Sequence, residues 1–216
     1  MNIRLGQGSK QGQVTAVERL ETPDVQDAQD LIDRCVDGDE RAWRELHRDY
    51  HGVAARFLRR MGIPEAEVDD ACQEVFVQVF RYVARFERRA EFQTWLYKLC
   101  LSQAHRSRRR WRIRQAMDWL VGHEATVHPA TGQPGWSEPE LARKVHHVLE
   151  KMKEIHREVF VLFELEGVEG DAIARILGCP PATVRRRLHY ARAEFEALLC
   201  SETEPETEPE TEGVKS

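Results

Sequence analysis

The chain has 216 residues, of which 41% are hydrophobic and 32% charged, a composition typical of soluble helical proteins rather than membrane proteins. Its formal net charge of −5 conceals a strong segregation, because residues 201–216 carry six Glu and one Lys whereas residues 81–114 carry ten Arg and one Lys against two Glu. So dense a basic stretch favours a polyanionic partner. No apolar run is long enough to cross a bilayer and the N-terminus lacks a signal-peptide pattern, so we expect a cytoplasmic protein without direct membrane insertion.

Hydrophobic periodicity predicts an all-α chain of two small helical domains joined by a flexible linker, with disordered termini. Residues 1–27 are polar and weakly periodic, which predicts a disordered N-terminal extension. The first domain is assigned to residues 28–114, where Asp39 fits a helix N-cap and Gly62 fits a helix end. Its four helices are predicted to begin at Asp30, to run from Asp39 to Gly62, from Pro64 to Phe86 and from Phe92 to Arg114.

The second half of the chain begins with a break in this pattern. Glycine and proline recur within residues 115–138, which predicts a linker. A second helical domain is assigned to residues 139–200. The ETEP repeat within residues 201–216 combines proline with negative charge, which predicts an acidic disordered tail.

The second domain carries the spacing of a helix-turn-helix. A short helix, Asp171–Leu177, precedes Gly178, where a tight turn requires positive φ, and Pro181 then suits the first turn of a second helix. The buried face of that helix is predicted to hold Val184, Leu188, Ala191, Phe195 and Leu198. Its opposite face suits the major groove of DNA, with arginines that can pair with guanine and flanking arginines that can hold phosphates. That face comprises Ala182, Thr183, Arg185, Arg186, His189 and Tyr190, with Arg187 and Arg192 at its flanks.

A second candidate nucleic-acid site lies in residues 69–114, where aromatic residues alternate with arginines. Rings stack on unpaired bases and guanidinium groups bind phosphates, although Phe86 and Phe92 also fit a hydrophobic core. The cluster comprises Phe86, Phe92 and Trp95 beside Arg88 and Arg89. The arginines expected to follow a duplex backbone are Arg106, Arg108, Arg109, Arg110, Arg112 and Arg114.

Asp70, Gln73 and Glu74 form an acidic face just before this region. An anionic face cannot bind DNA, so it indicates either a solvated helix surface or a basic protein partner. The remaining chemistry is sparse: the five cysteines include no Cys-x-x-Cys pair and the nine histidines show no ligand spacing. Since we also find no nucleophile–base pair and no phosphate-binding glycine loop, we expect neither a cofactor or metal nor an enzymatic activity.

Taken together, these segments resemble the extracytoplasmic-function (ECF) sigma factors of bacterial RNA polymerase, in the sigma-70 family. The first match is carried by DDACQEVF followed by RFERRAEFQTWLYKL, and the second by GVEGDAIARILGCPPATVRRRLHYAR. The resemblance covers about residues 28–112 and 139–199. It implies two domains, called region 2 and region 4, in a protein that directs transcription initiation.

The resemblance also implies partners and roles for individual residues. Asp70, Gln73 and Glu74 would bind the clamp helices of the β′ subunit of core RNA polymerase, and region 4 would pack on the β-flap. Region 2 would recognise and melt the minus-ten promoter element, and an anti-sigma factor would hold the protein inactive. The implied minus-ten residues are Phe86, Arg88, Arg89, Phe92, Thr94, Trp95, Lys98, Arg106, Arg109 and Arg110. The implied minus-thirty-five residues are Ala182, Thr183, Arg185, Arg186, His189 and Tyr190.

The chain departs from the family at three places, one of which is Ser102, where the family commonly has Asn. The family loop often reads Phe-Arg-Gly-Glu, whereas this chain has Phe86-Glu87-Arg88-Arg89, which leaves the base that it reads open. The recognition helix carries Arg186 as an additional arginine, which predicts a GC-richer upstream element. The alternative function is a stand-alone helix-turn-helix regulator, which would explain the second domain but neither the aromatic–arginine cluster nor the acidic face.

Overall fold

The computed structural model describes residues 25–86, 91–120 and 140–201 of the chain. These residues form helices and turns without any strand, which confirms the predicted all-α class. None of the helices in these ranges combines the length and the apolar character needed to cross a membrane. The predictions for residues 1–24, for most of the linker and for the ETEP tail lie outside the described residues, as do Arg88 and Arg89.

The first half of the chain, which we call the N-terminal unit, consists of four helices. Asp39 caps the second of them, because its Oδ1 accepts a hydrogen bond of 2.8 Å from the backbone N–H of Arg41. Gly62, with φ of +81°, follows the same helix and lets the chain reverse. A 3₁₀ turn, Val83–Arg85, extends the third helix. The helices are α1 (Val25–Val36), α2 (Glu40–Arg60), α3 (Glu65–Tyr82) and α4 (Phe92–Leu120).

Three helix boundaries differ from those expected, the first being the end of α3 at Tyr82, where a 3₁₀ turn begins instead of the helix continuing to Phe86. α1 begins at Val25 rather than at Asp30, and α4 continues to Leu120 rather than ending at Arg114. The extension of α4 has a simple cause, because residues 115–120 contain good helix formers and the first glycine comes only at Gly122. The helix therefore continues into the segment that the sequence pattern assigns to the linker.

The core of the N-terminal unit is built around α2. Leu46, Phe57 and Leu58 on this helix are completely buried. They meet residues from α3 and α4, and the ring of Phe57 stacks on that of Tyr97 with centroids 4.7 Å apart. Contacts of α2 with both α3 and α4 make it the central helix of the unit.

The second half, which we call the C-terminal unit, comprises α5 (Glu140–Lys151), α6 (Glu154–Phe160), α7 (Gly170–Leu177) and α8 (Pro181–Ser201). A π-helical turn, Val161–Leu165, continues α6. α6 packs against α8, where the rings of Phe160 and Phe195 stack with centroids 4.4 Å apart. Glu194 on α8 accepts a 3.1 Å hydrogen bond from the backbone N–H of Lys153, which ties α8 to the start of α6.

The two units are in contact with each other. α7 packs on α4, and α5 touches α2. Buried residues from both units form one continuous hydrophobic cluster. The described part of the chain is therefore closed, with the C-terminal unit docked against α2 and α4.

The backbone of the turn between α7 and α8 predicts that replacing two nearby glycines by alanine has different effects on the free energy of unfolding. Gly178 has φ of +62° and open space where a Cβ would lie, so Gly178→Ala meets only backbone strain, and we expect it to lower the free energy of unfolding by about 1–2 kcal/mol. Gly170, at the start of α7, also has open space but no positive φ. Gly170→Ala should therefore leave stability unchanged or raise it. Urea unfolding of both variants measures the difference, and equal effects would contradict this account of the turn.

Candidate nucleic-acid interface

α8 presents the predicted recognition face to solvent. Its buried stripe is as expected, since Val184, Leu188 and Ala191 are buried and Phe195 and Leu198 pack partly against the core. Thr183 is half-buried, and the other members of the predicted reading face are exposed: Ala182, Arg185, Arg186, His189 and Tyr190. Two adjacent exposed guanidinium groups near the start of an exposed helix can reach base edges and phosphates of a major groove.

Interactions within the C-terminal unit set the orientation of this helix. The Nε of Arg192 donates a 2.6 Å hydrogen bond to Glu164, and the guanidinium lies 5.5 Å from the centre of the Phe163 ring. The sequence predicts that Arg192 holds phosphate at the flank, but the structure gives it an internal role, because it joins α8 to the π-helical turn. Near the exposed end of the reading face, the ring of Tyr190 contacts those of His156 and His189, with centroids 6.3 and 5.5 Å apart.

The aromatic cluster of the first candidate site is more buried than a base-stacking site requires. Phe86, Phe92 and Trp95 form a triangle with ring centroids 5.5–5.8 Å apart. Phe92 is only 3% exposed and packs edge-on against Tyr50, and Phe86 is also buried. Trp95 alone of the three is half-buried. The two phenylalanines therefore support Trp95 from behind, and their own faces are not free to stack on a base.

The basic residues of α4 divide into two groups. Lys98, Arg106, Arg109 and Arg110 are exposed, as expected of residues that contact phosphate, although Arg106 also donates a 2.8 Å hydrogen bond to Gln78 on α3. The neighbouring Thr94 is half-buried. The side chains of Arg112 and Arg114 lie outside the described part of the structure.

Arg108, which the sequence predicts to follow a duplex backbone, binds protein groups in the closed arrangement. Its side chain is only 15% exposed, donates a 2.6 Å hydrogen bond to the carbonyl of Met61 and lies 2.8 Å from a carboxylate oxygen of Glu154. It is therefore used inside the protein, between α4, α2 and α6.

The acidic face on α3 is exposed and continues into apolar residues. Asp70, Gln73 and Glu74 all lie in solvent, as predicted. Val77 and Phe80 follow at helical spacing on the same side of α3, and Phe80 is 66% exposed, with its ring 4.9 Å from that of Trp43. Exposed apolar residues beside polar ones are typical of a protein-binding surface. The predicted acidic face did not include this apolar continuation, although the helical spacing of Val77 and Phe80 from Gln73 indicates it.

A buried charged cluster joins the two units. The carboxylate of Glu166, which follows the π-helical turn, is 2% exposed. It accepts hydrogen bonds from the Tyr97 hydroxyl at 2.5 Å, from Arg56 at 3.4 Å and from Arg60. Burial, followed by the adjacent Glu166 charge, raises the pKa of Tyr97 well above its ordinary range, so this hydroxyl remains a donor at any physiological pH.

A second charged cluster lies nearby between α4 and α6. His105 Nε2 is 2.6 Å from an oxygen of the buried Glu158 and 3.5 Å from Glu154. The Glu158 hydrogen bond raises the pKa of His105. Burial lowers the pKa of Arg157 on the same helix to about 10. Sequence periodicity gave no indication of either cluster, because the hydrogen-bonded partners are separated by 53 to 110 residues in the chain.

One group of side chains in the described ranges has atoms placed close enough to share a cation. The trio of His105, Glu154 and Glu158 brings its ligand atoms within 4.8 Å of one another. However, Arg108 already pairs with the Glu154 carboxylate, so part of the negative charge in this trio is compensated within the protein. His47 and His51 lie one helical turn apart with ring centroids separated by 5.0 Å, which is a contact between rings.

Comparison with known proteins assigns both units. A family model described as "Sigma-70 region 2" matches residues 44–113, and one described as "Sigma-70, region 4" matches residues 142–195. The chain is similar to the RNA polymerase sigma factor CnrH of Cupriavidus metallidurans, with 33% identity over 183 residues that cover 81% of this chain and 95% of that protein. It is also similar to the ECF RNA polymerase sigma-E factor of Escherichia coli strain K12, with 30% identity over 178 residues that cover 77% and 91%.

Two solved structures are also similar. One is CnrH in complex with the cytosolic domain of CnrY, with a TM-score of 0.60 and 28% identity, covering 82% of this chain and 99% of that one. The other is the sigma factor RpoE of Bartonella quintana in complex with the anti-sigma factor NepR, with a TM-score of 0.59. It covers 73% of this chain and 96% of that one at 20% identity, so this second likeness concerns the fold alone.

The cluster around His105 predicts a pH-dependent contribution to stability. The raised pKa means that the folded chain binds this proton more tightly than the unfolded chain, whose histidine titrates near 6.5. The contribution is therefore complete below about pH 6.5 and is lost as the pH rises through the raised folded pKa. We expect His105→Gln to remove this loss, measured as the difference between urea-unfolding free energies of wild type and variant across about pH 5.5–8.5.

His47 provides the control. Burial, and then the nearby His51, lowers the pKa of His47, so its effect has the opposite sign, with stability reduced as the pH falls below about 6.5. His47→Gln removes this opposing contribution. The loss of stability with rising pH that is due to His105 should therefore be larger in this variant than in wild type. A difference between wild type and His105→Gln that does not change with pH would contradict the assignment.

Proposed function

This chain belongs to the extracytoplasmic-function sigma factors of the sigma-70 family, and on that basis we propose that it directs promoter recognition and DNA melting for a specific set of genes. As an RNA polymerase sigma factor it acts in transcription initiation. Its region 2 corresponds to the N-terminal unit and its region 4 to the C-terminal unit. Sigma factors bind rather than catalyse, and we assign no catalytic residue to this chain.

The observation that carries the proposal is the presence of two different candidate DNA-binding surfaces and one acidic–apolar surface on a single chain. A stand-alone helix-turn-helix regulator would need only the exposed face of α8. It would have no use for Trp95 and the exposed basic residues of α4, nor for Asp70, Gln73 and Glu74. The stand-alone alternative is therefore not favoured.

In the proposed mechanism, the acidic face of α3 binds the β′ clamp helices of core polymerase through Asp70, Gln73 and Glu74. The exposed Val77 and Phe80 support this role, because they would add apolar area at the centre of a contact whose rim is charged. Region 4 would pack on the β-flap. The linker would then connect two units bound to separate parts of the polymerase.

DNA melting is proposed for region 2. Trp95 is the most accessible ring of its cluster with Phe86 and Phe92, and stacking on an aromatic side chain contributes about 1–3 kcal/mol per base. The exposed side chains of Lys98, Arg109 and Arg110 would hold the backbone, with an affinity that falls steeply as salt concentration rises. Thr94 and Arg106 remain candidates for the same site, as do Arg88 and Arg89 in the loop outside the described residues.

We also propose that an anti-sigma factor regulates this chain. The similar RpoE was solved with an anti-sigma factor, and the similar CnrH was solved with the cytosolic domain of CnrY. The acidic–apolar face of α3 is a surface that such a partner would cover, since it would then exclude core polymerase.

Run-off transcription with core polymerase on a panel of candidate promoters tests the central proposal, and we expect initiation on a subset. Gln73→Ala combined with Glu74→Ala should lower the affinity for core polymerase, measured by fluorescence anisotropy, without changing the helical content. Glu40→Ala combined with Glu169→Ala serves as a control at other exposed positions. No initiation on any promoter despite measurable core binding would argue against a sigma factor, and unchanged affinity in the double variant would leave the α3 face as a solvated surface.

The second prediction concerns the upstream element. If Arg186 pairs with a guanine, then Arg186→Ala should weaken holoenzyme binding to an active promoter by about 1–3 kcal/mol and should abolish discrimination at one guanine. Arg44→Ala, on α2 and away from both candidate DNA-binding surfaces, is the matched control. Footprints and binding to single-base promoter variants measure both effects, and a footprint in which Arg186→Ala loses no guanine contact contradicts the assignment.

A further inference from the structure

We propose that three glutamates of the C-terminal unit, Glu154, Glu158 and Glu166, latch region 4 onto region 2, and that this closed form is the state of the chain away from promoter DNA. Only the requirement that the latch opens rests on the proposed function. The latch itself rests on the contacts between the two units.

The first contact is the carboxylate of Glu166. It is almost completely buried, and a buried carboxylate is retained only where charges and hydrogen-bond donors compensate it. Arg56 and Arg60 come from α2 and Tyr97 comes from α4, so all three partners belong to the other unit. Region 2 therefore forms a binding site for one acidic side chain of region 4.

In the second contact, acidic side chains of region 4 again meet basic side chains of region 2. Glu158 and Glu154 of α6 meet His105 and Arg108 of α4. The two units approach closely beside this contact, because a Cβ added at Gly62 would lie 2.7 Å from the Nη1 of Arg157. In these contacts region 4 supplies the negatively charged side chains and region 2 supplies the positively charged ones. Arg157, a basic residue of region 4, is the exception.

An interface of this kind is suited to opening. Buried ion pairs fix the geometry of a contact but add little net stability, since the attraction between the charges is largely offset by their loss of hydration. Contacts between domains of one chain generally permit relative motion, and here the ion pairs border the apolar cluster that the two units share. The closed arrangement is therefore specific without being permanent.

Promoter geometry requires that the arrangement opens. The names of the minus-ten and minus-thirty-five elements place them about 25 base pairs apart, which is about 85 Å along B-form DNA. A compact chain of about 150 residues has a radius of gyration of only about 15 Å. The segment between Leu120 and Glu140 can reach about 65 Å when extended, so separated units can reach both elements whereas latched units cannot.

Opening would also change the DNA-binding surface of region 2. In the closed form Arg108 pairs with Glu154 and is withdrawn from solvent. Once region 4 leaves, this arginine loses the Glu154 carboxylate and keeps its hydrogen bond to the Met61 carbonyl, so its charge is no longer compensated beside the exposed arginines of α4. The latch therefore couples separation of the units to the number of cations that α4 offers to phosphate.

Small-angle X-ray scattering of the full chain tests the latch. We expect wild type to be compact, and Glu166→Gln to raise the radius of gyration by roughly 5 Å or more, toward that of two separated units. Glu169→Gln, an exposed glutamate in the same loop, removes the same charge and should leave the scattering unchanged. Far-UV circular dichroism establishes that each variant keeps its helices.

A second set of variants keeps the test decisive. Arg60→Gln should open the chain to the same extent as Glu166→Gln, and the double variant should open it no further, because both changes remove one contact. Glu158→Gln probes the other contact if a change at Glu166 prevents folding. An extended wild-type chain, or a Glu166→Gln chain whose scattering superimposes on that of Glu169→Gln, would overturn the proposal.

Transcription separates this proposal from the proposed function. If Glu166→Gln opens the chain but wild type initiates on no promoter, the latch stands and the assigned promoter role fails. If wild type initiates normally while the scattering of Glu166→Gln is unchanged, the promoter role stands and the latch fails.

Discussion

The structure depends most on a single buried carboxylate. Glu166 follows the π-helical turn of region 4 and sits between α2 and α4 of region 2, where Arg56, Arg60 and Tyr97 compensate it. A carboxylate in this position without those partners would be strongly unfavourable. In the closed arrangement, the relative placement of the two units therefore brings these three donors to the carboxylate, while the apolar core shared by the units excludes water around it.

Charge distribution organises the surfaces in a similar way. Anionic side chains are concentrated on the exposed face of α3 and in the C-terminal tail, whereas cationic side chains are concentrated on α4 and at the start of α8. Since DNA repels the first set and attracts the second, each face is restricted to one class of partner before any shape is considered. The same logic holds inside the molecule, where the acidic groups of region 4 meet the basic groups of region 2.

Local features of the sequence predicted the local features of the structure. The N-cap at Asp39, the left-handed turn at Gly178 and the buried stripe of α8 follow from spacing and backbone preference, which act over a few residues. The predictions failed where distant residues interact. The arginine-rich sequence of α4 predicts a DNA contact for Arg108, yet its partners are Met61 and Glu154, which no periodicity connects to it.

Helix geometry explains why the arginines of α4 serve two purposes. Successive residues are rotated by about 100°, so Arg106 and Arg110 share one face while Arg108, two residues from each, points to nearly the opposite side. That opposite side faces α6, and its guanidinium meets the carboxylate of Glu154 instead of a phosphate. Because guanidinium groups bind carboxylates and phosphates through the same donors, the choice between protein and DNA is made by position on the helix and not by residue type. A basic run on a helix should therefore be divided by face before any of its members is assigned to nucleic acid.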